Sequence, residues 1–291
     1  MSKYYYLISG LPAITPDDHK PAYTVAEFKA EITTALSVQD QKLADHFFFR
    51  YDNRNILAHL RATPRYVFDE RGVYTEEMIK DICDSMASED RAPENMQVPA
   101  YLAEFVRDYY ERFDDTEASE RNVLWEDRLS AMYYREAMMC GNTFLSSWFE
   151  LNLNIGNVMT AFNSRKHGLD REEYIIGENE IAEQLRHSGA RDFNLGNSPG
   201  YIAELLQIAE EQDLMVREKR TDVLRWNWLE DQTFFKTFDI ESVLSYLLRL
   251  EMLERWAGLD QVKGKETFRR LVADMKRESR DTLNEFKENN K

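Results

Sequence analysis

Apolar positions recur every three to four residues along most of this chain, the spacing that lines one face of a helix. The clearest run follows Asp239, where Ile240, Val243, Leu244, Leu247 and Leu248 share a face before Gly258. Leu102, Phe105 and Tyr109 mark a helix over Ala100–Phe113, with Pro99 well placed at its start. Ile202, Leu205, Leu206 and Ala209 mark another, opened by Ser198-Pro199. Thr24-Val-Ala-Glu27 has the form of a capping box, whose hydroxyl and carboxylate satisfy backbone donors at a helix start. A helix is expected from about Asp40 to Ala62, because the residue before Pro64 avoids helical dihedrals. Thr75 can cap a further helix over Glu76–Ala87.

From about Ser119 to Lys166 there is no proline. That predicts one long helix or two end to end, with Leu124, Leu129, Met132, Tyr133 and Phe144 inside. Gly168 ends it, and Asp170-Arg-Glu-Glu173 starts a short helix. Ser188–Ser198 reads as a loop, Tyr4–Ile8 fits either a short strand or a first helical turn, and Lys265–Lys287 alternates charge like a solvated helix.

Composition supports an all-α fold. Gly and Pro number 11 and 7 in 291 residues, too few for turn-dense sandwiches or barrels. Aromatics make up 12% of the chain, which excludes disorder as its main state. The 37 basic and 53 acidic side chains give a net charge of −16, so broad binding to nucleic acid or anionic lipid is disfavoured. The two cysteines, Cys83 and Cys140, supply neither a disulfide framework nor a zinc site, and point to a reduced, cytoplasmic compartment. The Tyr-rich start, soon broken by Pro12, makes a poor signal peptide, and no apolar run reaches a membrane span.

An internal repeat is visible at an offset of 102 residues. Asp52-Asn-Arg-Asn-Ile56-Leu-Ala-His-Leu60 lies on Asn154-Ile-Gly-Asn-Val158-Met-Thr-Ala-Phe162, which pairs Phe47 with Phe149 and Asn55 with Asn157. A third unit after Asp239 rests on helical pattern alone. The expected architecture is about three similar helical modules, over 1–115, 116–235 and 236–291.

No catalytic constellation emerges. Gly258–Glu266 has one residue too many for a phosphate loop, and Glu266 stands where a Mg²⁺-holding hydroxyl belongs. None of the five histidines follows a Glu by three residues, so the di-iron pattern is absent, and His46 and His59 fall on different helix faces. Asn142, Ser146 and Glu150 would line one side of a helix, as in the Mg²⁺ site of helical terpene cyclases. Asp114 and Asp115 could pose as their partners in an enzyme acting on a diphosphate. The aspartates lie in an apparent connector, however, so the reading remains an alternative, beside an unrelated helical adaptor. No cofactor or metal is expected.

Asp52-Asn-Arg-Asn55-Ile-Leu-Ala-His-Leu-Arg61 and Leu153-Asn-Ile-Gly-Asn157 through Arg165-Lys-His-Gly-Leu169 resemble a helix pattern repeated in the C subunit of A/V-type rotary ATPases, called d in eukaryotes. Phe238–Trp256, with Tyr246, Glu251 and Glu254, looks like that family's C-terminal helix. The opening Tyr-Tyr-Tyr-Leu-Ile-Ser-Gly-Leu-Pro resembles bacterial proteins encoded beside V-type ATPases. The resemblance implies a funnel of three helical modules on the cytoplasmic face of the membrane rotor ring, carrying torque without covalent chemistry. Its implied partners are the rotor shaft and membrane ring subunits. The chain departs from the family pattern at Arg255-Trp256 and at Glu178-Asn-Glu, which leaves a working rotor subunit and an assembly partner both open.

Within so acidic a chain, Arg50, Arg54 and Arg61 stand one and about two turns apart on nearly one side of the first repeat helix. Arg165 and Lys166 sit near the end of its counterpart. These five residues are the expected partner-binding surface, because a basic stripe sets register and association rate with an acidic partner helix.

Overall fold

The computed structural model describes residues 4–16, 18, 21–89, 91–93, 96–112, 122–196 and 198–258. Helices and their connections account for all of them, with no strand among the described residues. In chain order the helices are α1 (Tyr5–Gly10), α2 (Val25–Ala35), α3 (Val38–Leu60), α4 (Glu76–Glu89), α5 (Ala100–Arg112) and α6 (Asn122–Met138). There follow α7 (Thr143–His167), α8 (Arg171–Tyr174), α9 (Glu180–His187), α10 (Tyr201–Ala209), α11 (Leu214–Thr233) and α12 over 240–258. The all-α expectation holds.

Most helix starts have a side-chain cause. At α2 the Thr24 hydroxyl accepts from Glu27 N–H, and the Glu27 carboxylate accepts from Thr24 N–H, so the capping box is complete. Ser37, Asn142, Asp170, Asn179 and Asp213 cap α3, α7, α8, α9 and α11. Helix α10 differs from the expected cap at Ser198-Pro199: Gly200 holds the cap position without a side-chain bond, and Ile202 N–H donates to Pro199 O at 2.9 Å. The stretch Tyr4–Ile8 is a helix start, with Tyr4 at the cap position and Tyr5–Ile8 in α1.

The proline-free stretch does not continue straight. It breaks after Met138, where Gly141 adopts a left-handed φ of 80°, a conformation open to a residue without Cβ. Ser146 Oγ donates to Met138 O at 2.6 Å and closes the turn. Helices α6 and α7 then fold back on one another, with the Tyr133 ring 5.5 Å from Phe149. The boundary expected near residue 115 lies outside the described residues, and that near 235 falls in the turn between α11 and α12.

The repeat has a bonded signature. Asn55 donates to Asp69 O at 3.0 Å and accepts from Asp69 N–H at 3.0 Å. Asn157 does the same to Ile176, at 2.7 and 3.1 Å. Each amide thus clamps both polar groups of one residue in the connection that follows its helix. Phe47 and Phe149 stack directly, with centroids 5.5 Å apart and planes at 21°, so equivalent side chains meet where the two units join. A second correspondence, at an offset of 100 residues, joins Pro99-Ala-Tyr101-Leu-Ala-Glu104 to Pro199-Gly-Tyr201-Ile-Ala-Glu204. Tyr101 OH donates to Asn53 Oδ1 on α3 at 2.9 Å, while Tyr201 OH accepts from Asn154 Nδ2 on α7 at 2.8 Å.

Helix α12 closes against the start of the chain. Tyr4 N–H donates to Phe238 O at 2.8 Å, and Phe28 packs on Tyr246 at 5.1 Å. Tyr51 OH donates to Glu251 at 2.7 Å, and Val25 N–H, at the start of α2, donates to Glu254 at 2.6 Å. On the other side the buried Asp222 carboxylate of α11 accepts from Arg225, Arg255 and the Trp256 indole N–H. Arg255 and Trp256 thereby hold α11 to α12. One apolar core runs through all of these elements.

Candidate functional site

Helix α3 carries two faces with different chemistry. Phe47, Phe48, Tyr51 and Ile56 are buried in the core, and Asp52 reaches the connection before α4. Arg50, Arg54 and Arg61 emerge on another side. Together with the α6–α7 hairpin they line a cleft of about 570 Å³. Its floor and walls include Phe47, Leu57, Tyr66, Tyr134, Trp148 and Phe149, with Asn53, Ser130 and Asn152 as neutral polar members.

The three arginines are not equivalent. Arg54 is exposed and makes no hydrogen bond or ion pair with other described residues. Arg61 pairs with Glu126 at 2.6 Å. Arg50 pairs with Glu251 of α12 and donates to Tyr51 OH at 3.0 Å, so part of its guanidinium serves the closure of the fold. Its Nε is buried without a partner. Glu126 is the one carboxylate among the lining residues. With Arg50 matched by Glu251 and Arg61 by Glu126, Arg54 is the uncompensated cation of the cleft, in a chain of net charge −16.

Arg165 and Lys166 lie elsewhere. They border a second concavity of about 460 Å³ with Phe162, Glu210, Glu211 and Arg217. Arg165 donates to the carbonyls of Ala190 and Arg191, at 2.7 and 2.8 Å, and covers the Phe193 ring at 3.8 Å. It braces the loop that follows α9, whereas Lys166 is exposed. The five expected residues thus form two places rather than one, because they sit toward different stretches of α3 and α7.

Asn142, Ser146 and Glu150 do not converge on a metal site. Asn142 caps α7 through Leu145 N–H, Ser146 bonds Met138 O, and Glu150 is exposed. Asp114 and Asp115 lie outside the described residues, as does Gly264–Glu266. No group of three His, Cys, Asp or Glu could hold a metal among the described residues. His46 packs against Phe49 and Phe149, and burial lowers its pKa. Burial raises the Cys83 thiol to about 12, which keeps it protonated.

The aromatic wall has no signature in the sequence, since Tyr66, Tyr134 and Trp148 come from three separate elements. The paired Pro-x-Tyr-Leu/Ile-Ala-Glu segments do carry one, their near-identity at a fixed offset. No helix among the described residues is long and apolar enough to cross a membrane.

No curated protein matches the chain. The model of a family described as "Protein of unknown function (DUF2764)" matches residues 1–279. With nearly the whole sequence inside that match, the chain belongs to the DUF2764 family.

Proposed function

We propose that this chain is a non-catalytic central-stalk subunit, or an assembly partner, of a V-type rotary ATPase, linking the rotor shaft to the membrane ring. The observation that carries the reading is the repeated helical unit. Asn55 and Asn157 make the same clamp in two modules, and α12 adds a shorter element against the first. That arrangement agrees in kind with the three-module subunit that the sequence resembles. The cationic cleft along α3 offers an acidic partner helix a place to dock at the cytoplasmic face of the ring.

Co-expression with the shaft and ring subunits of a V-type ATPase, followed by affinity purification, tests the reading. The wild-type chain is expected to retain those subunits. Arg54→Glu, at an exposed position, is expected to fold normally and retain less of them, most clearly at low salt; Arg54→Glu/Arg61→Glu should retain less again. A wild-type chain that captures neither shaft nor ring overturns the stalk reading. Undiminished capture by a folded Arg54→Glu chain removes the cleft as the docking surface.

A further inference from the structure

The cleft between α3 and the α6–α7 hairpin has the construction of a small-molecule site. We infer that it binds an organic phosphate carrying a planar ring, the chemistry of a nucleoside phosphate, independently of any partner subunit.

Four observations carry this. The volume, about 570 Å³, lies within the range of ordinary ligand pockets. The lining is rich in donors and poor in free acceptors: Glu126 is already tied to Arg61 and Glu251 to Arg50, which leaves the Arg54 guanidinium without a carboxylate. Among neutral groups, Asn53 uses its carbonyl oxygen to accept from Tyr101, which leaves its amide N–H groups for the cleft, and the Ser130 hydroxyl is a further member. A cavity furnished in this way favours a ligand that accepts several hydrogen bonds and bears negative charge.

The cations are also distributed. From Arg50 to Arg61 the helix rises about 16 Å, so no single compact ion spans them. A ligand whose charge lies at one end, with an uncharged body beyond it, uses the length better. Arg54 supplies the unpaired guanidinium for the phosphate, and the buried, unpartnered Nε of Arg50 lies on the same helix side, one turn earlier. For the body, Leu57 on α3, Tyr66 in the connection after it and Tyr134 on α6 offer apolar and aromatic surface against which a planar ring can lie. With one carboxylate in the lining, the site has no ligand pair for a phosphate-bound Mg²⁺, so binding is expected without a divalent cation.

The test is isothermal titration of the isolated full chain with ADP, with p-nitrophenyl phosphate and with inorganic pyrophosphate, in EDTA and at low salt. ADP and p-nitrophenyl phosphate are expected to bind, at least tenfold more tightly than pyrophosphate. Arg54→Ala, whose fold is checked by circular dichroism, should weaken both at least tenfold. Equal affinity for pyrophosphate overturns the ring component, and binding untouched by Arg54→Ala overturns the site. If none of the three binds, the cleft is no phosphate site and the inference fails. Because partners are absent from this titration, its outcome is separate from that of the stalk reading.

Discussion

Replacing Asn157 with alanine removes a side chain that is 2% exposed and holds both polar groups of Ile176. Two hydrogen bonds are lost at about 1 kcal/mol net each, and each group of Ile176 left dry adds to that, for a total of about 2–4 kcal/mol. In a chain of this size the melting temperature should fall by about 3–7 °C. Asn55→Ala should cost at least as much, because Asn55 Oδ1 also accepts from Tyr66 OH at 2.9 Å. The two clamps share no bonding partner, so the double variant should lose the sum of the single losses to within about 0.5 kcal/mol. Urea melts of the three variants give these values. Hydrogen exchange should show lost protection at Asp69 for one variant and at Ile176 for the other. A loss below about 0.5 kcal/mol, or exchange unchanged at both residues, would refute the clamp as a stabilising element.

Glycine positions give a second, signed comparison. A Cβ on Gly72 would overlap Asp52 Oδ1 and come within 2.9 Å of its Cγ, so Gly72→Ala should destabilise by about 2 kcal/mol or more. On Gly156 it meets nothing within 4 Å, so Gly156→Ala in α7 should stabilise by about 0.5–1 kcal/mol; calorimetric melts with both variants shifted the same way would contradict this. Burial raises Asp52 from 3.8 to about 6, against the opposing effect of its bonds from Val73 and Tyr74 N–H. Since the folded state then holds the proton more tightly than the unfolded one, this group favours folding as pH falls from about 6 toward 4. The wild-type chain should gain stability relative to Asp52→Asn, by up to about 3 kcal/mol, between pH 7 and pH 4; parallel stability curves would count against it.

Helix positions were legible wherever a cap and an apolar stripe agreed. Thr24 with Glu27 and the run from Ile240 to Leu248 behave in the fold as their spacing indicates. The α6–α7 hairpin was not, because Gly141 in a helical pattern reads equally as a tolerated glycine or a left-handed turn. Only the packing of Tyr133 on Phe149 decides between them. Arg54 and Arg61 could be placed on one helix side from spacing alone. Their aromatic surroundings could not, since Tyr66 lies in a connection and Trp148 on a distant helix. Arg50 also looked available until Glu251, 201 positions later, proved to be its partner.

That distant pairing sets an order of events during synthesis. Tyr51 meets Glu251 across 200 residues, and Val25 meets Glu254 across 229. At about 5–20 residues per second, a ribosome takes on the order of 10–40 s to cover such a gap. For that interval the early helices are out while the strap that covers them is still being made. The Val25 donor at the start of α2 is then unfilled, and the arginine beside Tyr51 has no carboxylate against it. A nascent chain in that condition is a natural client for a holding factor, and one cut short before residue 251 would be left permanently ajar.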